Sequence, residues 1–243
     1  MKNFEKVLKS IDFSRRDFEI FSDFLEISTL VLSSRFQPSE EKEKRYKQIW
    51  NKYKQAEKFI ELFCLLTKIL EENPFQDFLG EFYMKCGNYN KNTGQFFTPF
   101  HLSVAMAKLS IDFSQIDKKG YITVSEPTCG SGANIIAAAK VLKEENYNPQ
   151  TSMFFVAQDL DFNCCNMCYL QTALTGLSGQ VIWGNTLTLE SKELYNTPMA
   201  YSNVWEYWHT VEKVKKDFNT FLDCCQKTNK NIPKQMKLQF DIE

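Results

Sequence analysis

The first 85 residues carry apolar side chains at helical spacing. A second apolar run over residues 59–66 has the length of a buried helical segment. Pro38 and Pro74 stand where helices would begin or end. The pattern therefore predicts a helical N-terminal subdomain of three to four helices over residues 1–85. The clearest helical face is made by Phe18, Phe21, Phe24, Leu25 and Thr29.

The pattern changes after residue 120. Residues 121–124, 153–157 and 181–183 are short β-branched or apolar runs bounded by turn-forming residues, which is typical of buried parallel strands. Helical patterns follow the first two runs, from Ala133 to about residue 145 and over residues 162–174. This alternation predicts an α/β fold with a parallel sheet covered on both faces.

Two further helices are predicted on either side of this core. Pro99 opens the first near its first turn, and the second covers about residues 204–227. The pattern thus predicts three parts: residues 1–85, an α/β domain over residues 86–200, and a helical, Lys-rich segment over residues 201–243. The first of these helices has an apolar side made by Leu102, Ala105, Met106 and Leu109.

Composition narrows the class of protein. The chain is 43% hydrophobic and has 21 Phe, so it can bury a sizeable core. Its net charge is −1, which excludes a general electrostatic attraction to nucleic acid or membrane. No apolar run approaches the roughly 20 residues of a membrane span, and no signal peptide pattern is present. We expect a cytoplasmic protein with reduced thiols and no membrane association.

Three local features each allow two interpretations. The mixed charges of residues 40–58 suit either a DNA-backbone face or a solvated helix surface with paired charges. Cys164, Cys165 and Cys168 have metal-ligand spacing but lack a second ligand pair, so we expect packing residues and no metal. The aromatic residues 201–208 suit either a base-stacking surface or a core-covering helix.

A glycine loop joins the first strand to its helix. Glu126 and Pro127 precede the small residues 129–132, and Ala133 begins the helix. Such a junction presents backbone N–H groups and the positive end of a helix to a ligand. Because the loop has no Lys and no G-K-[ST] sequence, a nucleoside with a charged amino-acid tail fits better than a pyrophosphate. Asp159 could bind ribose hydroxyls, and Asn185 an adenine amino group.

The segments GQFFTP, EPTCGSGANIIAAA, QDLD and GNTL, in this order, resemble adenine-N6 DNA methyltransferases of the γ class. The resemblance covers about residues 75–190 and is greatest to the modification subunit of type I restriction-modification systems. It implies a truncated, Rossmann-like methyltransferase fold, S-adenosylmethionine as cofactor and DNA as a partner. It also implies that the cofactor pocket is lined by Phe97, Thr98, Pro99, Glu126, Pro127, Cys129, Gly130, Ser131, Gly132, Asp159 and Asn185.

The family's catalytic tetrapeptide, [NDS]-P-P-[FYW] at the end of the fourth strand, has no counterpart, because the chain contains no Pro-Pro. The catalytic residues are therefore unassigned. The nearest candidates are Asn196, Pro198 and Trp205. The family also places an acid where Asn185 stands.

These observations leave three hypotheses open. The chain could be a diverged or orphan methyltransferase subunit, alone, as a homo-oligomer or with a specificity subunit. It could be an inactive S-adenosylmethionine-binding module that acts through DNA or protein partners. It could also methylate a different acceptor through the aromatic segment.

Overall fold

A computed structural model describes residues 1–85, 96–202, 204–205 and 216. Met1–Tyr201 form one compact unit and Ser202–Glu243 form another. Residues 1–85 are therefore not separated from the α/β part that follows them. In the second unit Val204, Trp205 and Lys216 are helical, and the rest of the helix predicted over residues 204–227 lies outside the described residues.

Five helices, one or two more than predicted, occupy residues 1–85. Buried aromatic rings join them: Phe4 meets Phe24 edge to face at 5.6 Å and Phe82 at 5.0 Å between ring centroids. The predicted apolar face lies on α2, where Phe21, Phe24, Leu25 and Thr29 are buried and Phe18 is half-buried. The helices are α1 (Lys2–Ile11), α2 (Asp17–Ser34), α3 (Glu40–Lys52), α4 (Lys58–Glu72) and α5 (Phe78–Lys85).

The α/β part adds further helices and a sheet of four strands within the described residues. The strands are β1 (Ile122–Glu126), β2 (Met153–Asp159), β3 (Ser178–Asn185) and β4 (Glu190–Asn196). The helices are α6 (Phe100–Ser110), α7 (Phe113–Lys119), α8 (Ala133–Glu144), α9 (Pro149–Ser152) and α10 (Phe162–Leu174), followed by a 3₁₀ turn at Pro198–Tyr201.

The strand order is β1-β2-β3-β4. β1, β2 and β3 are parallel, which confirms the predicted α/β fold. β4 was not predicted, and it runs antiparallel to β3, with an irregular register at Trp183/Gly184. The carboxyl ends of β1, β2 and β3 therefore lie at one edge of the sheet, while β4 ends at the opposite edge.

Helices α8 and α10 contact each other and the parallel strands. On their side of β2, Met153, Phe155 and Ala157 are fully buried, whereas Phe154 and Val156 on the other side are half-buried. The prediction that helices cover the sheet is confirmed for this face. The helix α10 also packs against α2, so that it lies between the sheet and the N-terminal helices. No helix among the described residues is long and apolar enough to cross a membrane.

Candidate functional site

Three polar side chains end the three parallel strands. Glu126 is the last residue of β1, Asp159 of β2 and Asn185 of β3. The register places Glu126 beside Ala157, and Asp159 beside Trp183 two residues before Asn185. The residues selected from the sequence as strand ends thus lie along one edge of the sheet, each two positions further on than the one before, where open α/β sheets bind ligands. We refer to this edge as the ligand edge.

The glycine loop closes onto the ligand edge. The Cys129 N–H donates to the carbonyl of Gln158 on β2 (2.8 Å), and the Gly132 N–H donates to the Cys129 carbonyl (2.8 Å). Gly130 and Gly132 have φ values of +53° and +93°, a left-handed backbone that glycine adopts without steric cost. These two glycines allow the chain to turn from β1 directly into the N-terminus of α8.

The carboxylate of Asp159 is held by the loop it faces. Its Oδ2 accepts from the Gly130 N–H at 2.8 Å, and its Oδ1 accepts from the Asp161 N–H at 2.9 Å. Burial raises the pKa of Asp159, and these N–H donors oppose that increase. Because each carboxylate oxygen has a second lone pair, Asp159 can still accept from a diol while it orients the loop.

The loop is anchored at both of its flanks. Glu126 accepts from Asn134 Nδ2 of α8 at 2.8 Å, which orients the acid toward the start of that helix. The Thr186 hydroxyl donates to the Pro127 carbonyl at 2.6 Å, which connects the loop to the turn after β3. The ends of β1 and β3 are therefore connected through Thr186, which was not among the predicted site residues.

Asn185 has a local role that its sequence position does not reveal. Its Oδ1 accepts from the N–H groups of Leu187 (3.0 Å) and Thr188 (3.4 Å), as in an Asx turn. The oxygen expected to receive an adenine amino group thus already stabilises the turn between β3 and β4.

The phenylalanine-threonine-proline segment meets the glycine loop through Phe97. Its ring stacks on Tyr83 at 5.3 Å between centroids and lies 3.4 Å from the position that a Cβ would take on Gly130. Thr98 and Pro99 are exposed, and Pro99 precedes α6 as its N-cap. Phe97 and Gly130, which are 33 positions apart in sequence, are therefore neighbours in space.

A buried polar network below the loop was missed by the sequence analysis. Asp77 accepts from the Ser131 hydroxyl (2.7 Å), from Gln171 Nε2 (2.9 Å) and from the Gly80 N–H (3.1 Å). Gln171 Nε2 also donates to the Ser131 carbonyl at 2.9 Å. A Cβ on Gly80 would overlap the Asp77 carboxylate and the Ser131 hydroxyl, which explains a glycine inside α5. The one signal of this network in the sequence was that Asp77 directly precedes an apolar helical run, which is typical of a helix N-cap.

Comparison with known proteins was made against family models, curated proteins and solved structures. The family model for N-6 DNA methylase matches residues 75–232, which is more than half of the chain. The chain belongs to the N-6 DNA methylase family. Neither the curated proteins nor the solved structures gave a significant match. The match begins just before Asp77, so the family region includes the network as well as the ligand edge.

Of the catalytic candidates, Asn196 and Pro198 lie away from the ligand edge. Asn196 pairs with Gln180 near the start of β3, so about five residues, or roughly 16 Å of strand, separate it from Asn185. Thr197 anchors this end: its hydroxyl oxygen accepts from the Gly179 N–H at 3.0 Å. The reason is the reversed direction of β4, which the sequence analysis had not predicted. Asn196 and Pro198 are therefore not positioned to act on a ligand at the ligand edge.

The third catalytic candidate, Trp205, is buried. The indole is therefore not exposed for stacking on a base in this conformation. Tyr207 and Trp208, which share the aromatic segment, lie outside the described residues.

Four of the eight charged residues of α3 form ion pairs: Glu43, Arg45, Lys47 and Lys52. Arg45 contacts Glu26 and Glu193 at 2.8 Å each, and Lys47 contacts Glu43 at 3.1 Å. The Arg45 pairs connect α3 to α2 and to β4. These contacts favour the interpretation of residues 40–58 as a helix surface with paired charges over that of a DNA-backbone face.

The predicted cysteine cluster packs inside the protein. Cys129, Cys164, Cys165 and Cys168 are buried, and a Cβ on Gly132 would lie 3.1 Å from the Cys168 sulfur. The neighbouring thiol of Cys129, together with burial, raises the pKa of the Cys165 thiol. Among the described residues, no group of three His, Cys, Asp or Glu side chains could hold a metal ion. The cluster therefore forms the packing layer between the loop and α10.

Proposed function

We propose that the ligand edge binds S-adenosylmethionine and that the chain is the cofactor-binding part of an adenine-N6 DNA methylase. One observation carries the proposal: Asp159, at the end of β2, faces a glycine loop whose Gly130 N–H it binds at 2.8 Å. This arrangement offers a diol acceptor next to the backbone donors at the N-terminus of α8. Such a donor set suits a ribose joined to an amino acid better than a polyphosphate.

Each residue of the ligand edge then has a distinct task. Asp159 accepts from the ribose hydroxyls, Glu126 accepts from the ammonium group, and the N–H groups at the N-terminus of α8 serve the carboxylate. Phe97 lies against the loop at Gly130 and bounds the pocket on that side. The turn closed by Asn185 bounds the opposite side. The family has an acid at this position to contact the base, so that contact is altered in this chain.

When bound, S-adenosylmethionine supplies an activated methyl group on a sulfonium. The protein needs to hold an acceptor nitrogen in line with that methyl group. In the family that task belongs to a proline tetrapeptide, which this sequence lacks. Asn196, its nearest counterpart, is near the start of β3. We therefore propose that the chain alone transfers methyl groups slowly and that efficient transfer to DNA requires a partner.

The second candidate function is an S-adenosylmethionine-binding module without transfer. The position of Asn196 away from the ligand edge also favours this second candidate. The two candidates share a cofactor site and differ in whether any assembly containing the chain methylates DNA.

Calorimetry with S-adenosylmethionine and with its demethylated product tests the cofactor site. We expect binding of both by the wild type, and binding at least about tenfold weaker by Asp159→Ala. No heat with either ligand would remove the proposal. Transfer of a tritiated methyl group to unmethylated DNA, measured with and without candidate partner subunits, separates the two candidates. Robust incorporation by the chain alone would contradict the need for a partner.

A further inference from the structure

The connection from β2 to α10, residues 160–162, determines how Asp159 is presented. The Asp161 N–H donates to Asp159 Oδ1 at 2.9 Å. The Asp161 carboxylate in turn accepts from the N–H groups of Asn163 (2.8 Å) and Cys164 (3.2 Å), which caps the start of α10. The direction of the Asp159 carboxylate therefore depends on the conformation of these three residues. We refer to them as the β2–α10 connection.

Trp183 of β3 contacts the β2–α10 connection at both of its ends. It is the register partner of Asp159, and the side chains of register partners point to the same face of a sheet. Its Nε1–H donates to the Leu160 carbonyl at 3.1 Å, and its ring meets that of Phe162 at 4.8 Å between centroids. Lys192 Nζ lies 4.9 Å from the centroid of the Trp183 ring. Trp183 is therefore itself fixed by a neighbouring cation while it binds the connection.

Arg45 of α3 reaches the same connection from the N-terminal helices. Its guanidinium carbon lies 5.3 Å from the centroid of the Phe162 ring, within the range of a cation–π interaction. Glu26 of α2 and Glu193 of β4 each bind the guanidinium at 2.8 Å, and none of the three side chains is more than 22% exposed. Ion pairs that are partly buried are screened less than exposed ones. Arg45 therefore contacts the Phe162 ring from a fixed position.

We propose that Trp183 and Arg45 are positioning residues for cofactor binding, and that they act on the ligand through Asp159. This inference rests on the proposed role of Asp159 as acceptor of the ribose hydroxyls. Two hydroxyls can bind one carboxylate well only if it points in a defined direction, because hydrogen bonds weaken steeply as they bend. A ligand contact of this kind needs neighbours that fix its conformation. The N-terminal helices thereby contribute to cofactor affinity through Arg45, without needing a ligand contact of their own.

Calorimetry with S-adenosylmethionine tests the role of Arg45. Arg45→Met removes the charge at similar side-chain length and should weaken binding about fivefold, whereas Arg45→Lys, which keeps a cation there, should recover most of the affinity. Arg15→Met is the matched control. Arg15 also binds two carboxylates, those of Asp12 and Glu19, and lies 5.3 Å from the centroid of the Tyr53 ring. Because these partners all lie within residues 1–85, Arg15→Met should lower stability comparably and keep wild-type affinity.

The same titration tests the role of Trp183. Trp183→Phe keeps an aromatic ring beside Phe162 but removes the Nε1–H that binds the Leu160 carbonyl, so we expect binding to weaken about threefold to fivefold. Trp50→Phe is the matched control. Trp50 is half-buried, as Trp183 is, and its ring stacks on Tyr46 of the same helix at 5.8 Å between centroids. This variant should bind the cofactor as the wild type does.

Hydrogen exchange without any ligand locates the effect. Backbone amides in peptides covering residues 159–164 should exchange faster in Arg45→Met and in Trp183→Phe than in the wild type, because the N–H groups of the connection lose their support. The same peptides should exchange at the wild-type rate in Arg15→Met and Trp50→Phe. Circular dichroism and thermal midpoints establish that each variant is folded at the temperature of the measurements.

The outcomes separate this inference from the proposed function. Wild-type affinity in both Arg45→Met and Trp183→Phe, or unchanged exchange over residues 159–164, would overturn the inference and leave the cofactor site intact. An equal loss of affinity in Arg15→Met would also overturn it, because the effect would then follow stability alone. A wild type that binds neither S-adenosylmethionine nor its demethylated product would remove the proposed function, and this inference with it.

Discussion

The Ser131 hydroxyl donates a hydrogen bond of 2.7 Å to the buried carboxyl group of Asp77, across 54 positions of sequence. Gln171 binds both partners, through Asp77 Oδ1 and the Ser131 carbonyl, at 2.9 Å each. The glycine loop is therefore held from below by α5 and α10, while Asp159 holds it from the ligand side. Both supports have to be in place for the loop and the N-terminus of α8 to face a ligand.

Replacing Asp77 with Ala should destabilise the protein and weaken cofactor binding. Three donors then lose their acceptor in a buried site, which costs about 1–3 kcal/mol for an unsatisfied group. We expect urea unfolding to show a loss of about 3 kcal/mol, with calorimetric binding of S-adenosylmethionine about tenfold weaker. Asp17→Ala, at a partly exposed ion pair with Lys9, should change stability by less than about 0.5 kcal/mol. Equal effects of the two variants would argue against the network.

The same carboxyl group should make stability depend on pH. Burial raises the pKa of Asp77, so the folded protein binds this proton more tightly than the unfolded chain does. The contribution is fully present below the unfolded pKa and is lost as pH rises through the folded pKa. The free energy of unfolding of the wild type, relative to Asp77→Asn, should therefore fall as pH rises above about 4. Urea unfolding of both proteins over a pH series measures it, and a difference that grows with pH would contradict this assignment.

The sequence patterns predicted those features of the fold that depend on residues close together along the chain. The glycine loop, the start of α8 and the positions of Glu126, Asp159 and Asn185 at strand ends follow from local turn chemistry and short apolar runs. The role of Asp77 did not follow, because its partners are 54 and 94 positions away. The turn role of Asn185 did not follow either, because the residue types of an Asx turn and of a base contact are the same.

The direction of β4 was not predictable for a different reason. The sequence ESKELYN of Glu190–Asn196 shows neither a buried run nor regular alternation, because the strand is an edge with charged side chains. Its pairing depends on the turn that Asn185 and Thr186 close, and on Thr197, whose hydroxyl binds Gly179. The family has its catalytic tetrapeptide at the end of the fourth strand, and this made Asn196 a catalytic candidate. In the structure Asn196 lies away from the ligand edge.

Substitutions at Asn185 should separate its turn role from a ligand role. Asn185→Asp keeps an oxygen that can accept from the Leu187 and Thr188 N–H groups, so we expect cofactor affinity within about threefold of the wild type. Asn185→Ala removes that acceptor and should weaken binding by about tenfold, because the turn bounds the pocket. Titration calorimetry of both variants provides the comparison. Equal loss in both would indicate that the amide itself contacts the ligand.

Substitutions of Asn196 and Thr197, which lie beside the start of β3, should leave cofactor binding unchanged. Asn196→Ala removes a partly exposed hydrogen bond to the Tyr201 hydroxyl. Thr197→Val leaves the buried Gly179 N–H without its partner and should cost about 1–3 kcal/mol of stability. In both variants we expect wild-type affinity for S-adenosylmethionine, with Asp159→Ala as the positive control. A loss of affinity in Asn196→Ala would show that this residue does approach the ligand.

Thiol reactivity should follow burial. Cys64 is exposed, whereas Cys129, Cys165 and Cys168 are buried, and the pKa of the Cys165 thiol is raised by the Cys129 thiol and by burial. Because the thiolate is the reactive form, brief alkylation at neutral pH followed by peptide mapping should label Cys64 and spare the other three. Unfolding in urea should make all four reactive. Rapid labelling of Cys129 in the folded protein would contradict the packing found here.

The hydrogen bond from Gly130 to Asp159 has a thermodynamic consequence. A carboxylate that is already fixed by a backbone N–H, in a loop that is already supported by Asp77, is preorganised for its ligand. Binding then requires little further loss of conformational entropy. Disrupting either support would therefore appear mainly as a larger entropic penalty on binding, even where the ligand contacts themselves are preserved.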